Sequence, residues 1–247
     1  MSVRGQRVLL EACVASVADA AAAVQNGADR LELNVGLELG GLTPSYGLLG
    51  QVKDAVDVPV VVMIRPRAGG FCYSPSEKRL MIRDAHGLLA QGADGIVTGA
   101  TTAKGDIDIR FLEDMRNVCR QRELVFHMAF DSLPNRAEAL EQLIGLRVSR
   151  VLTAGGQATA LAGHQVVADS LERAGGKIEI LPGGGVRSGN VSELLLKTGC
   201  DQVHGTFKRI LSDPAGNVCS DTYPALDKDE VKAVREVLDR QDSGNGL

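Results

Sequence analysis

Short apolar runs alternate with helical patterns from one end of this chain to the other, and three of the junctions repeat a motif. Asn26-Gly-Ala-Asp29, Gln91-Gly-Ala-Asp94 and Thr198-Gly-Cys-Asp201 each stand between an amphipathic stretch and a β-forming run. The glycine suits a left-handed helix cap, and the acid turns the chain into the next strand. The β-forming runs are 8–12, 30–34, 58–64, 95–99, 123–127, 150–154, 178–183 and 202–206. Between them the spacing predicts helices over 17–25, 46–56, 75–91, 109–120, 136–144, 164–173 and 191–197, with a last one over 228–240. About eight strand–helix units in this order point to an α/β TIM (β/α)8 barrel. The competing open, doubly wound sheet lacks the G-x-G-x-x-G that would follow its first strand. No linker divides the chain, so residues 1–240 are expected to form one domain and 241–247 a disordered tail.

Composition narrows the partners. Trp is absent and aromatics are 3% of 247 residues, so the core must be built from Ala, Val, Leu and Ile. A net charge of −4 without a block of like sign argues against nucleic acid or an anionic membrane as the main partner. Glu11 interrupts the apolar start too early for a leader peptide, and no run has the length of a membrane span. The five cysteines never form a CxxC pair, which suits free thiols in a reducing cytoplasm.

Polar residues inside apolar strands, or just past them, mark the candidate site, because a TIM barrel works at the C-terminal ends of its strands. Glu11 and Glu32 hold matching places in strands one and two. They could serve as acid and base, or neutralise arginines in a structural network. Arg65 and Arg67 bracket Pro66 and could clamp a small anion, since a guanidinium binds carboxylate or phosphate through two donors. His127 ends strand five and is the expected acid–base group, with an ordinary pKa near neutrality. Asp131 could orient it, bind a substrate hydroxyl, or cap the next helix. His204 is a second imidazole candidate, and Thr98 and Thr153 offer hydroxyls. Gly183, Gly184 and Gly185, followed by Arg187, form a turn open enough for backbone N–H groups to approach an anion. Cys13 and Cys72 lie at or near the mouth, where thiolates would select a soft ion such as Cu(I), although an isolated cysteine is usually a small buried apolar group. No lysine stands at a strand end, which disfavours Schiff-base chemistry. Three roles therefore remain: copper binding, proton transfer on a small anionic or sugar-like substrate, and a polar but purely structural mouth serving protein interaction.

The stretches VLLEACVASV, NGADRLELN, GGLTPS, VMIRPRAGGFCYS, GIVTG, FHMAFD, SRVLTAGG, PGGGVR and QVHGT, in this order, resemble the CutC family. The resemblance implies a TIM barrel, a cytoplasmic place, a role in copper homeostasis with Cu(I) held by thiols in some members, and a homodimer or higher assembly. It implies no settled reaction. It places Glu11, Glu32, Arg65, Arg67, Cys72, Thr98, His127, Asp131, Thr153, Arg187 and His204 around the mouth. Cys13 matches the first of two cysteines proposed to hold copper in animal relatives, but Asn34 stands at the second. Ala68 and Gly70 replace the Gly and Asp of the usual R-P-R-G-G-D-F, and Met128 replaces the Arg of F-H-R-A-F-D.

Overall fold

The computed structural model describes residues 7–214 and 222–244; Cys219 lies outside them. Eight parallel strands run in the order β7-β6-β5-β4-β3-β2-β1-β8. They are β1 (Leu9–Val14), β2 (Arg30–Leu33), β3 (Val60–Met63), β4 (Gly95–Thr98), β5 (Glu123–Phe126), β6 (Arg150–Thr153), β7 (Glu179–Pro182) and β8 (Gln202–Gly205). One parallel bridge, Gly183 to His204, joins β7 to β8 and brings the sheet round into a TIM barrel. The helices α1 (Val17–Gln25), α2 (Tyr46–Ala55), α3 (Pro75–Ala90), α4 (Ile109–Cys119), α5 (Arg136–Gly145), α6 (His164–Ala174) and α7 (Val191–Thr198) alternate with the strands.

The repeated motif does local work at the lower rim. Gly27, Gly92 and Gly199 adopt φ of 99°, 105° and 72°, where a side chain would be strained. Asp29 then accepts the Leu10 N–H (2.9 Å) and Asp94 accepts the Val60 N–H (2.8 Å), so each acid pins the strand before its own.

Side chains alternate across each strand. Outward residues such as Leu31, Val62, Ile96, Val151 and Val203 form one core with the helices. Inward residues divide in two. Val61, Met63, Val97 and Val125 make a separate apolar cluster on β3 to β5. The rest of the lumen, on β1, β2, β6, β7 and β8, carries charge.

Three elements were not foreseen. Leu37–Leu39 and Met128–Ser132 form 3-10 turns after β2 and β5. An antiparallel hairpin, β9 (Lys208–Ser212) with β10 (Thr222–Leu226), stands between β8 and the last helix. It is tied to α1 where the Leu226 N–H donates to Asp19 (3.0 Å). The last helix, α8 (Lys228–Gly244), continues past 240 into the segment expected to be a disordered tail, and 245–247 lie outside the described residues.

Candidate active site at the barrel mouth

Charge in the lumen begins at its lower end. Arg30, Glu123, Arg150, Glu179 and Gln202 each open a strand, and together with Glu11 they form one network. Arg30 pairs with Glu11 and donates to Gln202 (3.0 Å). Arg150 reaches Glu179 (2.7 Å), Glu123 (3.1 Å) and Glu11 (3.9 Å). Burial alone would raise the Glu11 carboxyl, but the His204 hydrogen bond and the charges of Arg30, His204 and Arg150 hold it well below the usual carboxylate range. Glu11 is therefore a fixed anion, in keeping with the structural-network alternative and not with a role as acid or base. The network also pairs it with Arg30 and Arg150, two arginines the sequence reading passed over. A polar residue at the start of five strands was the available signal.

One step up the lumen, the His204 Nδ1–H donates to Glu11 (2.7 Å). Burial pulls this imidazole down, yet Glu32 and then Glu11 raise it above its ordinary value, so it holds a proton. Glu32, 3% exposed, is raised by burial and by the Glu11 charge, against the pull of His204. Asn34 donates to Glu32 Oε1 (2.9 Å) and to Cys13 Sγ (3.3 Å), and this leaves Glu32 Oε2 and Asn34 Oδ1 buried without partners. Burial, Glu32 and Glu11 raise the Cys13 thiol well above its ordinary pKa.

The β3 and β5 side of the mouth offers donors. Arg65, 6% exposed, donates through Nη1 to the carbonyls of Leu39 (2.8 Å) and Gly41 (3.0 Å), and through Nη2 to Gly69 (2.8 Å). Its partners among the described residues are backbone carbonyls, and its Nε–H has none. The guanidinium lies 5.5 Å from the Phe71 ring, which in turn lies 4.8 Å from the His127 ring. His127 Nδ1 accepts the Ala129 N–H (3.1 Å), which places the ring proton on Nε2, where it meets no acceptor. Burial and then the Arg65 charge push the His127 pKa down to about 3. The expectation of an imidazole titrating near neutrality is thus corrected: His127 is a neutral hydrogen-bond donor.

Other expected groups are committed elsewhere. Arg67 does not share a clamp with Arg65, because it turns to the surface, pairs with Glu77 and donates to the carbonyls of Ala68, Gly70 and Cys72. The Arg67–Glu77 pair locks onto the α3 capping box, in which Ser74 and Glu77 exchange hydrogen bonds. Asp131 neither orients His127 nor caps α5, whose cap is Asn135. Its carboxylate accepts from Thr153 Oγ1 and from the N–H groups of Ala154 (2.8 Å) and Gly156 (2.8 Å), and so shapes the β6 loop. Thr98 donates to the Ile64 carbonyl (3.0 Å), so the proton of each threonine hydroxyl is already engaged within the protein. The Gly183 N–H is used by the Thr153 carbonyl (3.0 Å), while Gly184 and Gly185 turn at φ of 104° and 70° beside the β6 loop. Arg187 reaches the Lys208 carbonyl (3.2 Å). Cys72 is exposed and Cys13 buried. Tyr73, absent from the sequence reading, is 4% exposed, and its hydroxyl lies by Arg65 without full hydrogen-bond geometry.

Among the described residues, one group of metal-ligating atoms gathers: those of Cys13, Glu32 and His204 lie within 4.8 Å of one another. This set holds a single sulfur beside a carboxylate oxygen and an imidazole nitrogen. Cu(I) favours soft sulfur ligands, so the set fits it poorly and fits a borderline divalent ion better.

Residues 8–209 match the model of the CutC family. The chain belongs to the CutC family. A CutC family protein of Treponema denticola is 40% identical over 238 residues, covering 94% of this chain and 97% of the relative. The human copper homeostasis protein cutC homolog is 43% identical over 196 residues, covering 79% and 72%. A solved CutC structure from Streptococcus agalactiae superposes with a TM-score of 0.76 at 32% identity, over 81% of this chain and 98% of that one. Phosphoribosylanthranilate isomerase of Thermotoga maritima, at 12% identity and a TM-score of 0.59, shares the fold alone. In this CutC-family chain a side chain at Gly70 would meet open space, and Met128, where a family arginine is expected, is 38% exposed. No helix among the described residues is long and apolar enough to cross a membrane.

Proposed function

We propose that this chain is a proton-transfer enzyme, of the lyase, isomerase or aldolase type, acting on a small anion at the barrel mouth. One observation carries the reading: a neutral His127 offers a buried, unpartnered Nε2–H beside an Arg65 whose partners are carbonyls. A buried cation and a buried donor without acceptors are costly unless a ligand supplies negative oxygen. In the proposed step ionised Glu32 removes a proton from a carbon next to a carbonyl. The electron pair moves onto the carbonyl oxygen, which the His127 Nε2–H stabilises by hydrogen bonding and the nearby Arg65 by its charge, and the proton is returned to carbon or oxygen from Glu32. The raised Glu32 pKa brings this carboxyl closer to neutrality, as a general base requires. His204, anchored by Glu11, keeps a positive charge beside it. The test is deuterium uptake from D2O into small oxo-acids and hydroxyketones, followed by NMR. The wild type should exchange their C–H protons, and Glu32→Gln should lose at least ~100-fold of the rate. If no compound in the panel exchanges above the uncatalysed rate, the reading fails.

A second reading, copper binding, is motivated by membership of the CutC family, although Cys13, Glu32 and His204, which gather ligand atoms, offer only one sulfur. With Asn34 in place of a second thiol, Cu(I) should be held weakly, through one sulfur. Competition against a Cu(I) chelator should show the protein losing the metal, and Cys13→Ser should remove what binding there is. Stoichiometric retention would overturn this expectation of weak binding. On either reading we propose a cytoplasmic place and a homo-oligomer, and size measurement in solution tests the latter.

A further inference from the structure

The unpartnered polar atoms of the mouth are sorted by kind, and this sorting describes a ligand. In the segments after β3 and β5 stand donors: Arg65 Nε–H, the Tyr73 hydroxyl and His127 Nε2–H, on residues 6%, 4% and 4% exposed. Burial raises the Tyr73 phenol, so its proton stays in place, and Arg65 lies close enough to act on it electrostatically. On β2 stand acceptors: Glu32 Oε2 and Asn34 Oδ1, on residues 3% and 1% exposed. The two groups belong to one site, because the Gly41 carbonyl takes an Arg65 N–H (3.0 Å) while its Cα faces Asn34 Oδ1, 2.4 Å from where a Cβ would sit.

Arg65 has five N–H groups, and three go to carbonyls. Nε–H and one Nη2–H remain, which is the number a single planar carboxylate takes up. Phe71 lies between Arg65 and His127 as a flat wall. Arg65 follows β3, Glu32 and Asn34 stand at the end of its neighbour β2, and Phe71 links Arg65 to His127, so these groups gather round a space suited to a small molecule.

We propose that the natural ligand is a short hydroxy- or oxo-carboxylate, with its carboxylate on Arg65 and Tyr73, its carbonyl or carbinol oxygen on His127, and any hydroxyl donating to Asn34 or Glu32. Tyr73 becomes a specificity residue. The proposal names a substrate class for the proton-transfer reading and rests on it, but binding alone tests it.

Calorimetric titration should use lactate, pyruvate, acetate, glycerol and inorganic phosphate as probes. Lactate or pyruvate should bind about tenfold or more tighter than acetate, glycerol and phosphate. Tyr73→Phe should weaken the preferred probe by roughly ten- to a hundredfold. Without ligand, the same variant should melt close to the wild type, since the hydroxyl removed meets Arg65 alone and without full hydrogen-bond geometry. Equal binding of acetate, glycerol or phosphate would overturn the proposal. So would no binding by any probe, or a Tyr73→Phe variant with unchanged affinities. If lactate or pyruvate binds selectively yet exchanges no C–H proton, the ligand class stands and the proton-transfer reading falls.

Discussion

A histidine whose Nδ1 accepts a backbone N–H keeps its proton on Nε2, and burial then stops it from taking a second. His127 meets both conditions, and its pKa of about 3 has a consequence for stability. In the unfolded chain the imidazole takes a proton below its ordinary value of 6.5, while in the folded chain it stays neutral until about pH 3. The unfolded state therefore binds more protons across that window, and stability falls as pH drops from 6.5 toward 3. His127→Gln removes this contribution. From pH 6.5 to 5 the variant should gain about 2 kcal/mol relative to wild type in denaturant melts. His204 acts with the opposite sign, its raised pKa stabilising the fold at low pH, so the comparison must be between wild type and variant and not between two pH values of one protein. Parallel pH profiles would show that His127 is charged in the folded state.

At the scale of elements, the loop after β6 depends on a carboxylate from the loop after β5. Asp131 satisfies Thr153, Ala154 and Gly156 together. Asp131→Ala should cost roughly 1–3 kcal/mol in urea melts, because it strands the buried Ala154 N–H and Thr153 hydroxyl; unchanged stability would mean that the loop is held otherwise. The strands and helices of the barrel were legible because hydrophobic period and glycine caps are local signals. Helix α1 begins and ends where the spacing places it, and the glycines of the repeat hold left-handed turns. The β9–β10 hairpin was not legible, since KRILS and TYPAL carry no strong alternation and lie outside the repeat. The site was half legible. Glu32, Arg65, His127 and His204 stand together at or beside strand ends, as their sequence positions suggest. What each does was hidden, because it depends on partners far along the chain. Arg67 and Arg65 are two residues apart, yet one meets Glu77 at the surface and the other carbonyls within the mouth.

For the whole molecule, the lumen is two materials. The apolar side on β3 to β5 is packed by volume, and the charged side is held by mutual neutralisation around Glu11. Glu11→Gln should lower stability by about 3–5 kcal/mol, since Arg30, Arg150 and His204 lose a buried counter-charge together. Adding Arg30→Met should recover part of the loss; strict additivity of the two would disprove the coupling. The same region includes the narrowest join in the barrel. A single bridge unites β7 and β8, and its residue on β8 is His204. The residue that closes the ring is also the one that donates to Glu11, so the seam of the barrel and the charged wall of its site share a single side chain.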